Sequence, residues 1–134
     1  MVVASSLKEA LNPSAQVTCV DLGGHGLGDA GAKQLAQVLN SWPTAVTELR
    51  LPGNEISDEG VKALAESLSR PSPLTTVVLC NNHVSESGQE ALAAAFEANQ
   101  TLSAIYTNLR SNGYSKHLTR AEIRADNGNA HWID

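Results

Sequence analysis

The chain has 134 residues, of which 42% are hydrophobic and 17% charged, with a formal net charge of −5 at pH 7. This length fits one domain, and aromatics at only 4% leave a core built mainly of Leu, Val and Ala. The acidic balance and lack of a long basic run argue against nucleic acid as the main partner, since phosphate binding needs a cationic footprint.

No apolar run is long enough to span a bilayer, so no membrane partner is expected. The N-terminal MVVASSLKEALNP lacks a basic segment and a proper apolar segment, so no secretory signal is expected. Cys19 and Cys80 fall at unrelated positions. A disulfide is therefore not expected, and a reducing, cytoplasmic setting fits. Asn99-Gln100-Thr101 matches a glycosylation sequon, which is read as chance in that setting.

In chain order, residues 5–12 read as a helix with no strand before it. Leu7 and Leu11 precede Leu35 and Leu39 by 28 residues. Residues 1–16 are thus an N-terminal helical cap or partial repeat. A first strand is expected over 17–22 and a helix over 32–40, stopped by Ser41-Trp42-Pro43. A second strand near 48–51 and a helix over 58–69 follow. A third strand near 76–79 and a helix over 86–98 come next, then a fourth strand over 104–107. Val17, Val46, Leu74 and Leu102 are separated by 29, 28 and 28 residues, and Val20, Leu49, Val77 and Ile105 keep the same spacings. Gly31, Gly60 and Gly88 recur at 29 and 28. A period of this size means one strand–helix unit stacked on copies of itself. The units are 17–45, 46–73, 74–101 and a partial 102–109, followed by a divergent cap and tail over 110–134. Within that cap, 118–125 is expected to be a helix across the open end of the sheet. Residues 126–130 read as a turn, with His131-Trp132-Ile133 either docked back or loose.

The stretches LRLPGNEI and VVLCNNHV resemble leucine-rich repeats of the ribonuclease-inhibitor type, over roughly residues 5 to 109. VDLGGHGL has His25 where the pattern has Asn. The resemblance implies a right-handed α/β solenoid, with a parallel sheet and helices on the convex side. It also implies that Asn54 and Asn82 donate to loop carbonyls, which His25 does only in part. The final segment, NQTLSAIYTNLRSNGYSKHLTRAEIRADN, is similar to the C-terminal cap of tropomodulins, in which the repeat domain binds actin.

Chemistry-bearing patterns are few. Gly26-Leu27-Gly28-Asp29-Ala30-Gly31 is a literal G-x-G-x-x-G between a strand and a helix, the place of a dinucleotide loop. The next unit reads Glu55-Ile56-Ser57-Asp58-Glu59-Gly60, so the repeat explains the segment and no cofactor is implied. The four histidines, His25, His83, His117 and His131, do not pair at metal-ligand spacing. Ser57 and Ser85 recur just before helices, where N-cap residues belong. No catalytic constellation is read, and the chain is not expected to be an enzyme.

Residues between the core positions of each strand face the concave side. They are Cys19, Asp21, Glu48, Arg50, Thr76, Val78, Ala104 and Tyr106. Of these, Asp21, Glu48, Arg50, Val78 and Tyr106 are the expected contacts with another protein. Alternatives implied by similar proteins are regulation of actin or of a small GTPase, the latter through a loop arginine such as Arg50, Arg70 or Arg110. Unfinished ends also leave room for an end-to-end homodimer.

Overall fold

The computed structural model describes residues 2–108, 115–119 and 132–133. In chain order the elements are β1 (Val2–Ala4), α1 (Leu7–Leu11), β2 (Val17–Asp21), α2 (Gly28–Val38), β3 (Glu48–Arg50), α3 (Asp58–Leu68), β4 (Thr76–Val78), α4 (Glu86–Ala98), β5 (Ala104–Asn108), β6 (Ser115–Thr119) and β7 (Trp132–Ile133). One seven-stranded sheet runs in chain order from β1 to β7. Its first five strands are parallel, and the repeating strand–helix units make an α/β solenoid.

The expected buried rib is present. Val20 pairs with Leu49, Leu49 with Val77 and Val77 with Ile105, and each is fully buried. Leu35, Leu39, Leu64, Leu68, Leu92 and Phe96 bring the helices' apolar stripes onto this rib, all with zero exposure. No single unit could cover its own stripe, so stacking supplies the core.

Four expectations are corrected. First, a strand does precede α1: Ala4 pairs with Val20 and continues the rib at zero exposure. Three residues ending in Ala give little periodicity to read, and the open edge of β2 supplies the pairing. Second, α2 begins at Gly28 rather than 32, and a 3-10 turn, Leu39–Ser41, finishes it. Glycines disfavour a helix start, but Gly28 N–H donates to Asn54 O at 2.8 Å and Gly31 N–H to Leu27 O at 3.0 Å. Third, Leu118 and Thr119 lie in strand β6, antiparallel to β5, not in a helix. An extended strand meets the unpaired N–H and C=O groups at the β5 edge, which a crossing helix would leave bare. The rest of the expected helix, 120–125, the turn 126–130 and His131 lie outside the described residues, while Trp132 pairs with Leu118 in β7. Fourth, Ser57 and Ser85 hold N-cap positions, but their side chains do not cap their own helices.

Those serines serve a link between units. Asp29 Oδ1 accepts from Ser57 N–H at 2.8 Å and Gly60 N–H at 3.0 Å, and Asp29 Oδ2 accepts from Ser57 Oγ at 2.6 Å. One unit's carboxylate thus satisfies the first-turn amides of the next unit's helix, where the dipole favours an anion. Asp58 repeats the arrangement on Ser85 and Gly88. The recurrent glycine follows: a Cβ on Gly60 would lie 2.5 Å from Asp29 Oδ1, and one on Gly88 would lie 2.5 Å from Asp58 Oδ1.

Asparagines make a second ladder. Asn54 is fully buried; its Nδ2 donates to Leu22 O at 2.9 Å, and its Oδ1 accepts from His25 N–H at 2.9 Å and Leu27 N–H at 3.3 Å. Asn82 does the same for Leu51 O and for the amides of Asn54 and Ile56. His25 reproduces only the donor half: its Nε2 faces Ser5 O at 3.0 Å and its Nδ1 faces Gly23 O at 3.1 Å. A neutral imidazole has one N–H, so it donates to one of these carbonyls at a time. After each strand the turn needs a left-handed residue, supplied by Gly24 (φ +68°), Gly53 (φ +64°) and Asn81 (φ +59°).

Two buried side chains unforeseen in the sequence close the units. Trp42 is 5% exposed and its Nε1 donates to Ala10 O at 2.9 Å, tying the exit of α2 to α1. Asn99 is 3% exposed; its Nδ2 donates to Leu68 O at 2.6 Å and its Oδ1 accepts from Thr101 and Leu102 N–H. The sequon amide is therefore engaged inside the fold. Thr107 stands in the column of Leu22, Leu51 and Leu79, is fully buried, and its hydroxyl has no hydrogen-bond partner.

Hydrogen bonds from Ser57 push Asp29 below its ordinary value of 3.8, and Ser85 does the same for Asp58. The folded state then holds fewer protons than the unfolded chain near pH 4, so this stabilisation is present above that value and is lost as pH falls through the lowered values. Asp58→Ala is expected to lower stability by about 1–2 kcal/mol at pH 7. The gap from the parent should shrink below about pH 4 in urea titrations followed by circular dichroism. Thr107→Val should raise stability by about 1 kcal/mol, because it removes an unpaired buried hydroxyl at nearly constant volume; an unchanged or lower urea midpoint would contradict this.

Candidate partner-binding face

Strand register fixes the concave wall. One column runs Val3, Cys19, Glu48, Thr76, Ala104, Thr119. The other runs Asp21, Arg50, Val78, Tyr106, His117, Ile133. The five expected contact residues thus lie in two columns: Glu48 is in the first, and Asp21, Arg50, Val78 and Tyr106 are consecutive in the second. Sequence reading missed the continuation of both columns beyond β5 and the start of the first at Val3. Ser115 to Thr119 holds a single aliphatic residue, Leu118, so no alternation marked it as a strand.

Side-chain environments divide this wall. Glu48 is half-buried and accepts from Arg50 Nε, and the Cys19 Sγ lies 3.9 Å from the same carboxylate oxygen. Burial first, and the Glu48 charge second, push the Cys19 thiol up and keep it protonated. Cys19 is only 5% exposed and Ala104 7%, so these two positions present little surface. The hydrogen bond that Arg50 donates to Glu48 raises Arg50, whose side chain remains 50% exposed. Asp21, opposite Arg50 in register, is turned to the following loop: its Oδ1 accepts from Gly23 N–H at 3.1 Å. Val78 and Tyr106 are half-buried beside it.

The glycine-rich segment is built differently from a phosphate cradle. Gly24 N–H donates to Pro52 O, Gly28 N–H to Asn54 O, and the amides of His25 and Leu27 to Asn54 Oδ1. Its donors are directed into the next unit rather than toward a ligand. Among the described residues no group of three or more His, Cys, Asp and Glu could hold a metal ion, and no helix is long and apolar enough to cross a membrane. On the helical side, a groove of about 460 Å³ lies between α2 and α3, but its Arg70 is paired with Glu66 and its Lys33 with Glu59.

A family model described as Leucine Rich repeat matches residues 16–36 and 44–65. No curated protein matches the sequence. Among solved structures the chain is similar to leiomodin-1 actin-binding site 2, with a TM-score of 0.71 and 20% identity over 91% of this chain and 69% of that one. At that identity the likeness is one of fold. Matched repeats, strands in parallel register and an asparagine ladder between units give the chain a leucine-rich-repeat fold.

Proposed function

We propose that this chain is a non-catalytic, cytoplasmic module that binds another protein through its concave strand face. The contacts are Asp21, Glu48, Arg50, Val78 and Tyr106. The observation that carries this reading is the unbroken register of Asp21, Arg50, Val78 and Tyr106 across four strands, which lines up two charges and two apolar groups on a rigid wall. Arg and aromatic side chains are frequent anchors of interfaces. The repeat units of the module are 17–45, 46–73, 74–101 and a partial 102–109, with 1–16 as a helical cap or partial repeat and 110–134 as a divergent cap and tail.

Actin is the first partner to test, because a solved structure similar to this chain is an actin-binding site of leiomodin-1. A small GTPase has less support: Arg50 and Arg70 are each paired with a glutamate, and Arg110 lies outside the described residues. An end-to-end homodimer would use the β1 edge, where Val2 and Val3 are 47% and 42% exposed, and light scattering reads it directly.

Purified chain is expected to alter pointed-end actin assembly, and Arg50→Glu with Tyr106→Ala to abolish that effect with the far-UV circular dichroism unchanged. Full activity in the double variant moves the contact off the concave wall. No effect of the parent protein on assembly removes actin as the partner.

A further inference from the structure

Arg50 is the one cation on strands β2 to β5. Its Nε is held by Glu48, which is itself fixed beside the buried Cys19. The acid that register places on its other side, Asp21, is held away by Gly23 N–H. The terminal Nη1 and Nη2 groups therefore have no hydrogen-bond partner among the described residues, although two carboxylates stand nearby. A guanidinium anchored through Nε presents its two terminal amines as a planar fork, the shape that matches a carboxylate.

Resting on the concave-face reading above, we infer that the Arg50 fork is a carboxylate receptor, and that the partner presents there a single Asp, Glu or chain-terminal carboxylate flanked by a large apolar side chain. Glu48 is the positioning residue that aims the fork. Val78 is the next residue in the column and Tyr106 the one after. With strands about 4.8 Å apart, the apolar contacts lie roughly 5 and 10 Å from the receptor. An extended segment crossing the strands rises about 3.3 Å per residue, so its apolar residue falls about two or three positions from the acid. The match is to one carboxylate and not to an acidic run. Asp21 and Glu48 share the wall, and the whole chain carries −5, so a second ligand charge meets repulsion.

The probe is a phage-displayed library of random linear peptides, selected on the full chain and followed by fluorescence polarisation of the enriched peptides. Enrichment of a single acid with Leu, Ile, Phe or Trp two or three places away is expected. Changing that acid to its amide should weaken binding about tenfold or more, the size expected for loss of a charge-assisted hydrogen bond. Arg50→Lys should weaken binding to a similar degree, because a point charge lacks the fork. With the amide peptide, Arg50→Lys should then have little further effect. Glu48→Gln should weaken acid peptides more than amide ones. Two failures are distinguishable. Peptides that need Tyr106 and Val78 but bind equally with acid or amide overturn the carboxylate receptor and leave the concave face standing. Enriched peptides indifferent to Arg50→Lys, Val78→Asp and Tyr106→Ala together overturn both.

Discussion

Every feature of this molecule depends on one constraint: the loop groups of each unit are satisfied by the unit beside it. Asn54 takes two amides from the loop before it and donates to Leu22 O, while its own amide is taken by Asn82. Asp29 and Asp58 reach across in the opposite sense, each meeting the helix start of the following unit. Buried backbone groups without partners are expensive, so these links are conditions of folding rather than decoration on it. They also fix the translation between units to a single value. A one-residue slip would take Asn82 from the amides of Asn54 and Ile56 and Asp29 from those of Ser57 and Gly60 at once.

That translation is what gives the concave wall its order. Because Leu49 must sit between Val20 and Val77, Arg50 must sit between Asp21 and Val78. The side chains in the wall are free to vary, since they bear on neither the rib nor the ladders. The buried rib and the exposed wall are therefore made by alternate residues of the same strands. Arg50 stands between Leu49 and Leu51, both fully buried, and inherits their rigidity. The wall is thus arranged in advance, and an ordered surface leaves little conformational freedom to lose.

The repeating part of the fold was legible because it is written three times. Val20, Leu49, Val77 and Ile105 are in register as their spacing demanded, and helix α4 has its expected bounds. The wall was legible for the same reason, since alternation along a strand decides which side chains share a face. Features that occur once, or that link two units, were not. Nothing in the sequence near Trp42 announces that its indole will reach Ala10 O thirty-two residues away. The role of Asp29 and Asp58 was not legible either, because a local reading cannot distinguish a residue that serves its own helix from one that serves the next. The recurrent Gly60 and Gly88 were visible as a pattern, but their cause is a carboxylate from another unit.

The first described unit and the strand after the last helix depart from the repeating pattern. At the start, His25 stands at the ladder position, and the unit before it offers only β1 and the five-residue α1. The link between β1 and α1 is only Ser5 and Ser6, and Ser5 turns its carbonyl to the His25 ring. A side chain that only donates is sufficient, and His25 reaches Ser5 O and Gly23 O. At the other end, β5 has no parallel copy to its right and turns instead to an antiparallel partner, β6. That change of direction satisfies the sheet edge without a helix and ends the leucine column, where Thr107 replaces leucine with its hydroxyl unpaired. It leaves the wall column intact, since Tyr106 is paired on both sides, with Val78 and with His117. The β5 edge is thus closed by a strand that ends the parallel stacking while keeping the register of the wall column. This is the arrangement required if the aromatic at the end of the column is to be held as rigidly as the arginine near its start.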